Sequence, residues 1–291
     1  LGQKTTRQVV EGKLLKLKAL ILIVFIFAVK PGQAKPAEEY KQEIKRAENL
    51  LLQKERPRAI KALTVLLEND KLGKNGSAEI KKILKEISSL FLHEKAQQNF
   101  ELALNLKKTD PAQSMQKLLE AQATEPDNFK IIAEISKQKI AKKECKNIIP
   151  TLESSMAINP WDEGINLALA QAYFCEGEAE KASLLIGKNI ETKRKNTKKE
   201  WLQIDFLNRL KNKDSVKNKE LLKELKERDP SNPQLEVYDV LLQVLESPNN
   251  ENLNKSSLAC KSTNASLLRQ YQQDPFFCEL DLLISLINKS R

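Results

Sequence analysis

Four cysteines and one histidine are the residues of this 291-residue chain best suited to chemistry, and their spacing restricts what that chemistry can be. Cys145, Cys175, Cys260 and Cys278 form no C-x-x-C, and His93 has no second histidine to join it, so a zinc cluster of ordinary ligand spacing cannot be assembled. Use of His93 as a catalytic base would require a nucleophile within hydrogen-bond reach and a third group to orient the ring. The stretch Leu90-Phe91-Leu92-His93-Glu94 supplies none nearby, and it reads as a histidine on the face of a long helix spanning about 78 to 108. Paired acids such as Glu38-Glu39 and Glu178 with Glu180 are common enough on solvated faces to need no catalytic account. A Gly-rich phosphate loop, a dinucleotide fingerprint and a nucleophile elbow are all missing. The pattern points away from an enzyme and calls for neither cofactor nor metal. What remains is sulfur chemistry: four cysteines allow two bridges in three connectivities, or they stay as buried thiols.

Which of these applies depends on where the chain folds, and the front of the sequence speaks to that. The net charge is +10, and Lys4, Arg7, Lys13, Lys16, Lys18 and Lys30 against Glu11 alone place about half of it in residues 1–34. Lys13 to Lys18 is basic, Ala19 to Val29 is unbroken apolar, and Pro31-Gly32-Gln33-Ala34 ends on small residues before the charged Lys35-Pro36-Ala37-Glu38-Glu39. These are the three parts of a secretory signal, with cleavage expected after Ala34. The apolar run falls short of the roughly 20 residues of a stable span. Retained, it would be a short anchor or a core helix. The expected location is therefore outside the cytoplasm, in a bacterial periplasm, where thiols oxidise. The rest of the chain carries a mildly basic, mixed surface without the dense single-sign stripe of a nucleic-acid groove, so nucleic acid is not the expected partner.

Beyond residue 35 the apolar positions recur every three or four residues, as in Ile80, Ile83, Leu84 and Ile87, which paints one face of a helix. Helix throughout is expected, and an internal period organises it. Glu125-Pro126-Asp127 and Asn159-Pro160-Trp161 are turn signals whose prolines lie 34 residues apart, and Asp229-Pro230-Ser231 follows about two units later. Within the unit after Pro160, Asn166, Leu169, Ala170 and Tyr173 hold the spacing W-x2-L-G-x2-Y, with Gly177 in the turn and Ala182 and Ile186 in the second helix. This segment resembles a tetratricopeptide repeat. Ala47, Leu50, Ala59 and Leu63 repeat the small-then-large pattern around a break at Glu55-Arg56-Pro57; Thr109-Asp110-Pro111 reads as a helix start. Ile132, Ile135, Ser136, Ile148 and Leu152 hold the pattern in one further unit, and Trp201, Ile204, Leu207, Leu221, Leu222 and Leu225 give apolar faces in another. Lys139 and Asp205 depart from it.

The resemblance implies an all-α, right-handed solenoid of antiparallel helix pairs behind an N-terminal signal peptide. Residues 1–34 form the signal and 35–71 a first hairpin. Residues 78–230 form the repeats and 231–291 a C-terminal helical cap, whose last helix runs over about 276 to 288. Leu72 to Ser77, Glu191 to Glu200 and Lys211 to Lys217 read as linkers or solvated turns. In such a stack Cys145 and Cys175 lie toward the turns of consecutive units, which favours the pairs Cys145–Cys175 and Cys260–Cys278. The family's fold also implies a concave surface lined by the first helix of each unit, with Asn99, Lys130, Lys137, Gln171 and Gln203 as inward candidates for binding a protein or peptide. The Lys-and-Asn arrangement that clamps a C-terminal carboxylate in some members is not reproduced. The expected role is a scaffold or adaptor; a membrane-anchored assembly factor of the envelope is the alternative.

Overall fold

The computed structural model describes residues 34–68, 72–191, 199–211 and 215–231, together with Leu235, Tyr238, Asp239, Leu242, Gln243 and Glu246. The signal segment before Ala34, the Cys260–Cys278 pair and the last predicted helix lie outside the described residues. Eleven helices and no strand occupy the described residues: α1 Ala34–Leu52, α2 Arg56–Glu68, α3 Gly73–Ser89, α4 Glu94–Leu106, α5 Pro111–Thr124, α6 Phe129–Ala141, α7 Ile149–Ile158, α8 Glu163–Cys175, α9 Ala179–Glu191, α10 Lys199–Lys211 and α11 Ser215–Arg228. The chain divides into two compact units, Leu1–Ile135 with Thr151–Ile165, and Ser136–Pro150 with Asn166–Arg291.

Several helix ends have a local cause. Asp110 caps α5 by accepting the Gln113 amide at 2.9 Å, and Pro111 follows at a position whose missing N–H costs nothing. Three helix ends close with one residue in the left-handed region: Lys54 at φ 63, Lys143 at φ 60 and Gly177 at φ 82. Each lets the next amide reach back into the last turn, Glu55 to the Leu50 carbonyl, Glu144 to Lys139 and Glu178 to Tyr173. At Gly177 a Cβ would meet nothing within 4 Å, so the glycine answers to backbone conformation and not to space.

Helices α1 and α2, α4 and α5, and α10 and α11 pack against each other as consecutive pairs. Ser114, near the start of α5, donates its hydroxyl to the Ala103 carbonyl near the end of α4 at 2.8 Å, so the two run antiparallel. Their interface is a cluster of Phe91, Ala96, Phe100, Ala103, Leu118 and Ala121 joined by Ile131 and Ile135 of α6. The small residues of this cluster are fully buried, as are Ala59 of α2, Ala170 of α8 and Ala182 of α9. Alanine at these points lets helix axes approach while larger neighbours fill the flanks. First helices of successive hairpins open at Glu94, Phe129, Glu163 and Lys199, intervals of roughly 35 residues.

Two sequence expectations are corrected. Leu72 to Ser77 is no linker, because α3 begins at Gly73 and carries Ile80, Ile83, Leu84 and Ile87 to a buried face. Burial of that face outweighs the poor helix propensity of its first turn. The long helix over 78–108 is two helices, interrupted at 90–93, where Leu90 (φ −69, ψ 129) and His93 (φ −126, ψ 129) are extended. His93 accordingly sits at the N-cap position of α4 and not on a helix face.

Cys145 and Cys175 are joined by a disulfide across a sequence separation of 30, with Cα atoms 6.2 Å apart, as the hairpin arrangement predicts. A loop of this length is worth roughly 3 to 4 kcal/mol. Reduction, or the C145S/C175S double substitution, is therefore expected to lower the melting temperature by about 10 °C, read by circular dichroism. The double variant should not respond further to reductant; labelling of both thiols in unreduced native protein would contradict the bridge.

Candidate interaction surface

The interruption at 90–93 has an electrostatic cause that sequence patterning misses. The Arg56 guanidinium, at the first position of α2, is fully buried. Its Nε donates to the Ile87 carbonyl at 3.1 Å, and its terminal nitrogens donate to the Leu90 carbonyl, to Glu125 Oε2 at 2.6 Å and to Asp127 Oδ1. The other Glu125 oxygen accepts the amides of Leu92 and His93, each at 2.6 Å. Asn128 donates to Glu125 Oε2 at 3.0 Å and to the Leu90 carbonyl at 3.3 Å, while its own oxygen accepts the Lys130 amide at the start of α6. A continuous helix through 90–93 would need these same amides and carbonyls for its ladder. They serve the buried ions instead.

This cluster joins the start of α2, the α3–α4 junction and the α5–α6 turn. A neighbouring bond from Asn159 Nδ2 to Ser88 Oγ at 3.1 Å adds the α7–α8 turn. Burial alone would push the Glu125 carboxyl up. The Asn128 amide, the Arg56 guanidinium and the His93 backbone N–H outweigh it and hold the carboxyl below its usual range. His93 lies beside the cluster, its Nδ1 3.4 Å from Glu125 Oε1 and its Nε2 3.0 Å from Lys54 Nζ. His93 thus caps α4 with its backbone and places its ring between the buried ion pair and the Lys54 ammonium.

The five candidate residues fall on the first helices of the hairpins: Asn99 on α4, Lys130 and Lys137 on α6, Gln171 on α8 and Gln203 on α10. Lys130 and Lys137 are exposed; Asn99, Gln171 and Gln203 are half-buried. The Lys130 ammonium lies 5.2 Å from the Phe100 ring centroid and 5.7 Å from that of Phe91, two rings 5.3 Å apart. Lys107 Nζ meets Glu134 Oε1 at 2.6 Å, so α4 and α6 are linked by an ion pair as well as by their apolar cluster. Asn99 Nδ2 is buried without a hydrogen-bond partner. Asp205, an apparent misfit to helix packing, is buried and accepts Arg209 Nε at 2.8 Å.

Among the described residues one group of potential metal-ligating atoms comes together, Cys145, Cys175 and Glu176, and two of its three members are consumed in the disulfide. The arrangement as a whole is a set of helical hairpins with polar residues on their first helices and a buried salt bridge at one junction. Comparison with known proteins adds no relative: no family model, curated sequence or solved structure matches the chain.

Truncating Arg56 leaves a buried carboxylate without its counter-ion, which costs about 3 to 5 kcal/mol. The R56M variant is expected to show that loss in urea unfolding; an unchanged midpoint would contradict the cluster's role. Because the folded Glu125 carboxyl titrates below its unfolded value, the stability it confers is complete above the unfolded carboxylate pKa. That stability disappears as pH falls through the lower folded value. The E125Q variant should flatten this acid limb of the stability curve relative to the wild type.

Proposed function

We propose that the chain is an exported scaffold or adaptor that binds an extended peptide or partner helix on the first helices of its tetratricopeptide-like repeats. The observation carrying this reading is that alternate helices, α4, α6, α8 and α10, begin at intervals of roughly 35 residues, the period of tetratricopeptide arrays. Repeated helices in general suit an extended peptide or helix better than a small molecule. The Cys145–Cys175 disulfide supports an oxidising compartment, and with the basic-apolar-small order of residues 13–34 it favours a periplasm.

A membrane-anchored assembly factor is the second reading, favoured by the unbroken apolar run Ala19 to Val29 if that run is retained. No described helix is long and apolar enough to cross a membrane. The two versions differ at the N-terminus of the native protein: mass spectrometry showing Lys35 first supports export with cleavage, whereas retention of residues 19–29 supports the anchor.

Binding is tested by placing a photo-crosslinking side chain at Lys130, Lys137 or Gln171 in native cells, with exposed Leu184 on the second helix α9 as the control. Protein adducts are expected at the first three positions and not at Leu184. Equal labelling at all four, or adducts at none, would remove the adaptor reading.

A further inference from the structure

The first hairpin offers a second surface of different character, which the α4–α10 reading does not use. Leu50 of α1 and Ala62 and Val65 of α2 form the apolar floor of a groove of about 280 Å3 rimmed by Arg46, Arg58 and Lys61. No carboxylate lines it, although the protein as a whole carries 39 acids to 49 basic residues. Val65 is 49% exposed, one of the large apolar side chains left open among the described residues. The floor is continuous with a well-packed interface, since Leu51, Ala59 and Leu63 of the same two helices are fully buried.

The rim charges are available. Arg46 and Arg58 each touch a glutamate three residues back, Glu43 on α1 at 3.5 Å and Glu55 just ahead of α2 at 2.5 Å, in exposed pairs of little net worth. Lys61 has no carboxylate partner among the described residues. An incoming carboxylate would compete with weak, solvent-screened contacts only.

We propose that this groove docks an acidic amphipathic helix of a partner protein, its leucine-like side chains on Leu50, Ala62 and Val65 and its carboxylates facing Arg46, Arg58 and Lys61. A concave seat between two antiparallel helices matches a third helix, which fills it as ridges into a groove. A bilayer surface instead takes protruding apolar side chains. Charge argues against the nearest alternatives. A second copy docking symmetrically would oppose the three cations to their own counterparts, and residues 1–34 carry a basic excess of their own.

The test uses the full purified chain and a synthetic helical peptide with leucines at i, i+3, i+4 and i+7 flanked by glutamates. A lysine-flanked counterpart serves as the charge control, and phosphatidylglycerol-containing vesicles as the lipid control. Fluorescence anisotropy should show saturable binding of the acidic peptide that weakens as salt rises. The R58E/K61E variant should lose about tenfold or more in affinity. Val65→Asp should abolish binding with an unchanged circular-dichroism spectrum, which separates loss of the floor from loss of the fold. Amide shifts on the labelled protein should cluster on α1 and α2. Equal affinity for the lysine peptide, or for wild type and R58E/K61E, overturns the proposal. So does vesicle binding without peptide binding, which would make this a lipid surface, and so does a wild-type dimer dissolved by Val65→Asp, which would make it a self-interface.

Discussion

A guanidinium with no access to water must hydrogen-bond in nearly every direction its five N–H groups point, and Arg56 does so only because the end of α3 with the α3–α4 junction and the α5–α6 turn present oxygen to it. That requirement shapes the first unit. The α3–α4 junction has to leave the helix so that the Leu90 carbonyl and the Leu92 and His93 amides turn toward the ions. The α5–α6 turn has to place Glu125, Asp127 and Asn128 within one hydrogen-bond shell. Apolar burial supplies most of the force that gathers the helices. The ion cluster supplies direction, since a greasy interface tolerates sliding and a buried, hydrogen-bonded ion network does not. Chains α2 to α6 are thereby fixed in angle where their connections meet.

The sequence disclosed the helices well and the junctions poorly. Turn signals built on proline or glycine, Asp110-Pro111, Pro126, Pro160 and Gly177, mark real helix ends because those residues act on the backbone within a few positions. The Cys145–Cys175 pair followed from hairpin periodicity for the same reason: it needed only the approximate placing of two turns. The break at 90–93 carried no such mark. Leu90 to Glu94 is a good helical stretch by composition, and the groups that pull it open come from positions 56 and 125, far away in the chain. The converse error at Leu72 to Ser77 is of the same kind, since glycines suggested a linker where an apolar face downstream enforces a helix. Glu125 looked like one more turn acid; only tertiary contact makes it an interior ion.

The two candidate surfaces differ in the way they would hold a partner. On α4 and α6 the charged groups are already engaged, Lys130 over two aromatic rings and Lys107 with Glu134, so the surface is pre-shaped and its cations are partly spoken for. On α1 and α2 the cations are held by weak local pairs or by none, and apolar side chains stand open beside them. The first arrangement favours shape and backbone hydrogen bonding; the second favours long-range attraction and a strong dependence on ionic strength.

The sulfur bridge makes a covalent ring of the backbone between positions 145 and 175, with α7 and nearly all of α8 inside it. A protease that cuts once within that ring produces no separate fragments: the two halves stay tethered until a reductant is added. In a compartment rich in both proteases and oxidants, a helical array so looped can be nicked and still retain every one of its pieces.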